Sequence, residues 1–398
     1  MKIIAINASG QGQIADFMHS IGKRASTNGI TYLYAVGTHG NKTYHDFVIQ
    51  SCSLIRLISK TKAKFSGDFD DDFKFGTKRL IRWIDKQKPD IVHIHNLHGG
   101  YIHVSMLIHY LKEKGIPVVF TLHDTWLFTG KCLQFEDVHC IKWKKICKDC
   151  PKEKEEPKWL YGEHSTRNFL KKKELFTSLD HVAFVATYGW MKEMASISFL
   201  KSKKIYSVYK GVDLSIFYPR ETSFKKKRRL ESFKIILCYA REWTKEKGLT
   251  TINHLANILK APYKIVVLNA PRRKVSKRAI AIPHVKSINA LAEYFASSDM
   301  FLNLSADDLF PVENLYALAS GIPVFTFSIG GTPEQINDYV GRIVSNEDPV
   351  KIRKEIEAFF EKTIDYQKNC LKRAEEFSFE TTFQQYLAIY DNIIKKKE

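Results

Sequence analysis

No apolar run in these 398 residues approaches the roughly 20 needed to cross a bilayer. The opening stretch MKIIAINASG has one lysine and a very short apolar segment, so it reads as a first β-strand and not as a secretory signal. A cytoplasmic protein is expected, with peripheral contact at the inner face of the membrane as the furthest approach to lipid. No short-period repeat is visible, which excludes a solenoid. No RNA- or DNA-binding motif accompanies the basic clusters, which argues against a nucleic-acid partner. The loop after the first strand, NASGQGQIADF, lacks the third glycine of a dinucleotide fingerprint, which excludes an NAD or FAD site of that kind. Negative charge is also scarce: 62 Lys+Arg face 43 Asp+Glu, for a net charge of +19. Such a surplus suits anionic partners, whether a membrane surface or phosphorylated substrates, although most single lysines simply solvate the surface.

What is present is a regular alternation of short β-rich runs and helical patterns. KIIAINA, TYLYAV, DIVHIH, PVVFTLH and HVAFVAT form one series, and KIILCYA, YKIVVLN, MFLNLS and IPVFTF a second. Strands separated by helices predict parallel sheets, here two doubly wound α/β domains in tandem. A strand, a glycine turn, a proline and a basic stretch near residues 203–230 mark the boundary. The expected domains are 1–210 and 220–378. A terminal amphipathic helix over 380–398 has Phe383, Leu387, Tyr390 and Ile394 on one side and can pack on either domain.

Open parallel sheets bind ligands beyond the carboxyl ends of their strands, so the strand-to-helix loops carry the candidate chemistry. Gly10 and Gly12 allow close backbone approach before a helix N-terminus. VHIHNLHGGYIH places His93 and His95 on one strand face and leads into Asn96, His98, Gly99, Gly100 and Tyr101. Polar residues lining a cleft account for that set better than a metal site. His123 and Asp124 end another strand, where a histidine can hydrogen-bond a sugar hydroxyl or act as acid or base. In the second series Arg241 and Lys247 supply cations beside Gly248. SADDLFPVENLYALASGIPV then gives a helix behind Pro311, whose N–H groups around Val312 to Asn314 are expected to face an anion. SIGGTPEQI adds a Thr332 N-cap, Pro333 at the first helical position and Glu334. Two helix N-termini and two cations together point to a diphosphate.

Cysteine use is uneven. Cys52, Cys238 and Cys370 are scattered and read as buried thiols. Cys132, Cys140, Cys147 and Cys150 fall within nineteen residues and end in CKDC. That spacing suits a structural zinc; free thiols packed in a loop and disulfides are the alternatives. Four thiolates would leave a zinc no open position for catalysis.

Taken in order, PDIVHIHNLHGGYI, PVVFTLHDTWLFTGKC, the cysteine loop, GVDLSIFYP, W-x3-KG, the FP before the helix, ASGIPV and GGTPE resemble family-4 retaining glycosyltransferases of the GT-B type. Within that family the nearest likeness is to bacterial colanic-acid-type polysaccharide enzymes. The resemblance spans nearly the whole chain and implies two Rossmann-like domains facing across a cleft. The second would hold a UDP- or GDP-sugar, and the terminal helix would return to the first. It also implies sugar transfer with retention, no catalytic metal, and a glycan or lipid-linked acceptor. By the same resemblance, Lys247 and Arg241 match the diphosphate cations, with Arg241 one residue out of the usual spacing. His123 matches the histidine reaching the transferred sugar, and Gly12 part of the glycine loop. Asn96 to Tyr101 would line the acceptor side. Phe310, Pro311, Val312, Glu313, Asn314 and Glu334 would border the donor.

The largest departure lies in the paired-glutamate motif. Asp308 holds its first position and Tyr316 its second, where the family's glutamate accepts hydrogen bonds from the ribose. One hydroxyl in place of two charged acceptors predicts weaker donor binding. Glu313, three residues earlier on the helix, is either a partial substitute or a solvated first-turn residue. The same departure leaves open a degenerate homologue that binds a glycan or a partner protein without turnover.

Overall fold

The computed structural model describes the whole chain except residues 39–44, 50–60, 62–66, 69–72, 156–161, 345–347, 363 and 396–398. Cys52 lies outside the described residues. The chain divides into two compact units, Met1–Tyr209 with Phe383–Glu398, and Lys210–Thr382.

Among the described residues, the first unit carries β1 (Lys2–Ser9), β2 (Thr31–Thr38), β3 (Phe47–Val48), β4 (Ile91–Ile94), β5 (Val118–Leu122), β6 (Val182–Ala186) and β7 (Lys204–Ser207). They form one sheet in the order β3-β2-β1-β4-β5-β6-β7, parallel throughout. The central strands are buried along their whole length, as VVFTL in β5 and VAFVA in β6 are. A parallel sheet is covered by helices on both faces, so its strands are apolar without alternation.

The second unit repeats the plan with β8 (Lys234–Tyr239), β9 (Tyr263–Leu268), β10 (Ile280–Ile282), β11 (Met300–Asn303), β12 (Val324–Phe327) and β13 (Gly341–Val344). Their order is β10-β9-β8-β11-β12-β13, again parallel throughout. Ile252 and Leu255 from one helix, and Ile352, Ile356 and Phe359 from another, close over Ile236, Cys238, Leu302 and Phe325. In both units the strand order reverses beside the first strand, between β1 and β4 and between β8 and β11. Loops leaving those strands diverge and open a crevice, the switch point where such sheets receive ligands. Cys238 and Cys370 are buried thiols.

The last helix runs Phe379–Lys395. Phe383, Tyr386, Ile389, Tyr390 and Ile393 are its buried side chains in the first unit, whereas Leu387 and Ile394 are half-exposed. The expected apolar face is therefore rotated toward the tyrosines. The reason is polar: the Tyr386 hydroxyl lies 2.8 Å from that of Thr121, and the Tyr390 hydroxyl 2.8 Å from Nδ1 of His93. An apolar periodicity does not register such bonds.

Candidate active site

In the second unit the switch point concentrates charge. The loop after β8 turns through Gly248, whose φ of +74° and close approach to the Leu304 carbonyl exclude any Cβ. This turn brings Lys247 against the loop after β11. Its Nζ lies 2.8 Å from Asp307, 3.1 Å from the Ser305 hydroxyl and 3.7 Å from Asp308. Burial works against the Lys247 charge, but Asp308, Asp307 and Glu313 outweigh it and raise its pKa. Asp307 was not singled out from sequence; the doubled acid of SADD was its only signal. Asp308 also accepts the Phe310 N–H through Oδ1, at 3.3 Å, which shapes the turn into the next helix.

That helix, Val312–Ala319, departs from the expected anion-binding end. The Asn314 N–H donates to the Pro311 carbonyl at 3.2 Å. One of the three amides expected to face an anion thus already has a partner. Nor is Glu313 a solvated first-turn residue: it is buried, at 7% exposure. Burial and the Asp308 carboxylate push its carboxyl up to about 7, against the pull of its own N–H, Lys247 and Arg241. Arg241 itself is exposed.

Asn314 and Phe310 are buried. Asn314 links three elements. Asn303 at the end of β11 donates to its carbonyl oxygen at 3.0 Å, it donates to Gln335 at 2.9 Å, and Gln335 donates to the Pro311 carbonyl at 3.1 Å. This buried amide chain fixes the Val312–Ala319 helix to the short helix Thr332–Gln335. In that short helix the cap is Gly331, with Thr332 as the first helical residue and Pro333 the second. The Thr332 hydroxyl instead ties the loop, accepting the Ile329 N–H at 2.9 Å. Glu334 is half-buried, and its carbonyl accepts from Arg373.

Tyr316 lies flat on Phe217, ring centroids 4.0 Å apart and planes 3° apart, with its edge toward Phe295 at 6.0 Å. The second position of the acidic pair is therefore part of an aromatic stack.

The first unit treats its strand ends differently. His93 and His95 share a face, as their spacing predicts, with ring centroids 4.0 Å apart, and both are buried. His93 is held by the hydroxyls of Tyr32, Tyr390 and Thr121 at 3.2, 2.8 and 2.8 Å. Burial, then His95 and His123, hold its pKa well below the usual histidine value, so it stays neutral. Burial, with His19 nearby, lowers His95 to about 3.

His123 and Asp124 do not form a pair. His123 Nε2 lies 3.2 Å from His95 Nδ1, whereas Asp124 Oδ2 meets His98 Nε2 at 2.8 Å. Adjacent residues at a strand end point to different sides, so the two side chains find different partners. Burial raises the Asp124 pKa, but His98, the Trp126 N–H and Lys172 lower it further. His95 is the partner that sequence reasoning passed over for His123. In the Asn96–Tyr101 loop, Asn96 Oδ1 accepts the His98 N–H at 2.8 Å, and Gly99 and Gly100 turn the chain at φ +99° and +66°. Tyr101 is buried and its hydroxyl donates to the Asn96 carbonyl, which supports the loop. Gly12 caps the Gln13–Thr27 helix at φ +99°.

Cys132, Cys140, Cys147 and Cys150 line one pocket of about 310 Å³, part of it open to solvent. Among the described residues, no three metal-binding side chains already converge on a common point.

Residues 55–216 match the model of Glycosyltransferase Family 4, and residues 219–377 that of Glycosyl transferases group 1. The putative colanic acid biosynthesis glycosyl transferase WcaC of Escherichia coli is 24% identical over 162 residues, 38% of this chain and 40% of that protein. An uncharacterized 41.2 kDa protein of the Klebsiella pneumoniae cps region is 22% identical over 75% of this chain and 76% of its own length. Among solved structures, sucrose-phosphate synthase of Thermosynechococcus elongatus has the same fold, with a TM-score of 0.72 at 13% identity over the whole of both chains. The Anabaena protein HepE in complex with UDP does so with a TM-score of 0.68 at 13% identity, covering 98% of this chain and 100% of that one. The two family matches follow one another along the two doubly wound units, and the chain belongs to the GT-B glycosyltransferases of the family-4 type.

Proposed function

We propose that this protein transfers a sugar from a nucleotide-sugar onto a glycan or lipid-linked acceptor of a bacterial surface polysaccharide, with retention and without a catalytic metal. The observation that carries this reading is Lys247, held by Asp307 and Asp308 where the loops after β8 and β11 diverge. Negative charge develops on the leaving diphosphate during transfer, and a fixed cation at that point stabilises the transition state more than the ground state. Arg241 adds a second positive charge from the same loop. A neighbouring carboxylate would normally repel a diphosphate. Glu313, with its pKa near 7, carries a proton for much of the time at neutral pH and can then donate to a phosphate oxygen. Burial, with Asp308, sets that proton affinity, and Asp307 together with Asp308 anchors Lys247. His123, from the first unit, is assigned to the transferred sugar, with the Asn96–Gly100 loop on the acceptor side.

Lys+Arg in excess by 19 fit docking of the enzyme at an anionic inner membrane surface, where a lipid-linked acceptor would lie. HepE, solved with UDP, makes UDP the first nucleotide to try. The test is a panel of UDP- and GDP-sugars presented with lipid-linked or polysaccharide acceptors. Nucleoside diphosphate released only on acceptor addition is the expected result.

Tyr316 on Phe217 favours a second reading, a homologue that binds without turnover, because it closes the ribose-side carboxylate position with an aromatic stack. Nucleotide binding with no release from any donor would replace the first reading by this one. No binding of any nucleotide would sink the enzymatic reading.

A further inference from the structure

The connection from β5 to the Ser165–Thr177 helix contains, among its described residues, only single helical turns at Trp126–Phe128, Glu136–Val138 and Lys142–Lys144. Trp126, Phe128, Phe135 and Trp143 are buried within it; Trp143 stacks on Phe135 with centroids 4.7 Å apart, and its Nε1 donates to the Cys140 carbonyl at 2.9 Å. A long loop with so little regular structure gains from a further constraint. The cysteines are where this loop is pinned. Thr129 and Thr125 both donate to the Cys132 carbonyl, at 2.9 and 3.1 Å, and Thr166 donates to the Cys147 carbonyl at 2.7 Å.

Two of the sulfur atoms receive backbone hydrogen bonds. The Gly130 N–H donates to Cys147 Sγ at 3.2 Å, and the Lys152 N–H to the Cys150 sulfur two residues before it. Three buried lysines surround the set, Lys131 at 2%, Lys152 at 7% and Lys172 at 0% exposure. Lys131 donates to the carbonyls of Lys152, Glu153 and Glu155, and Lys172 to those of Trp126 and Thr129 while lying 3.5 Å from the Trp126 ring centre. Lys152 is ion-paired with Asp137 and Glu155.

Carbonyls and, for Lys152, two carboxylates already hold these ammonium groups, and four thiolates on one divalent zinc would add a net charge of about −2 beside them. We propose that Cys132, Cys140, Cys147 and Cys150 bind one structural zinc as a tetrathiolate, whose negative charge is balanced by Lys131, Lys152 and Lys172. On binding, zinc takes the place of the four thiol protons, which leave to solvent, and no redox partner is needed. The S–H···S contact between Cys132 and Cys150 is replaced by two Zn–S bonds, and the thiols turn into the pocket they already line.

The experiment uses the whole chain, purified without chelator, and needs no donor or acceptor, so its outcome is separate from that of the transfer assay. About one zinc per chain is expected, with all four loop thiols unreactive until the metal is released by an organomercurial. Cobalt exchanged into the unaltered chain is expected to show the thiolate-to-cobalt absorption of a tetrahedral sulfur site, a readout that survives even if cysteine variants fail to fold. Lys172→Met is expected to lose zinc to a competing chelator about tenfold more readily than the unaltered chain. Metal-free protein with four freely reactive thiols, or a Cys132–Cys150 disulfide in the reduced-handled preparation, overturns the proposal. Equal zinc retention in Lys172→Met overturns the charge-balance part of it.

Discussion

Two sheets with the same strand order end in opposite chemistry. At the switch point of the first unit, His93 and His95 are buried and neutral, His93 tied to hydroxyls and His95 to His123. At the equivalent place in the second, Lys247, Asp307, Asp308 and Glu313 crowd unlike charges into a half-buried crevice. The topology offers both crevices, and side-chain identity decides which becomes electrostatic. A neutral hydrogen-bonded end stiffens a fold and locks in its terminal helix. A charged end stores interaction energy that an incoming anion can redirect.

This contrast can be broken from either side. The largest effect is expected in the first unit: Tyr390→Ala removes a fully buried ring and the Nδ1 partner of His93, for a loss of about 3–5 kcal/mol in urea unfolding, with UDP binding of the surviving folded protein retained. If donor binding is lost in proportion to stability, the two strand ends are not separable. In the second unit, Lys247→Met is expected to leave folding largely intact but lower transfer roughly 10²–10³-fold, read as kcat at saturating donor. An unchanged kcat would remove Lys247 from the proposed mechanism.

Tyr316→Glu probes the position where this chain leaves its family. Restoring a carboxylate is expected to tighten UDP binding by about 1–3 kcal/mol in a calorimetric titration. Loss of the Phe217 stack is expected to lower stability by about 0.5–1.5 kcal/mol. Weaker UDP binding would show a site rebuilt around the tyrosine. The mildest effect is confined to a pH window. With a folded pKa of about 7 against an ordinary 4.5, Glu313 binds more protons folded than unfolded between these values. Its contribution is therefore most favourable below about 4.5, declines as pH rises to about 7, and is constant above. Glu313→Gln should abolish that decline, so the stability of the variant relative to the unaltered chain should rise across the window. A flat difference would contradict the assignment.

Much of this was legible along the chain. Fully apolar strands alternating with helices can bury both sheet faces only in a parallel, helix-covered sheet, so KIIAINA to HVAFVAT and KIILCYA to IPVFTF were enough for the fold class. Lys247 beside Gly248 and the acids of SADDLF pointed to the charged loops, because strand-end position and residue chemistry are both local. The family resemblance supplied roles for His123, Arg241 and Tyr316 that spacing alone does not give.

What only tertiary structure decided were the partners. Adjacent His123 and Asp124 read as a pair, yet each turns to a side chain more than twenty residues away, His95 and His98. Along the chain Glu313 reads as either a partial substitute for the missing glutamate or a solvated first-turn acid, and its burial excludes the second. Asn314 read as a ligand contact and is also the middle of a buried amide chain. The sequence determines which groups stand at strand ends, because periodicity and turn residues act within a few positions. Which group faces which, and with what charge, depends on elements brought together from distant parts of the chain, and on the solvent their packing excludes.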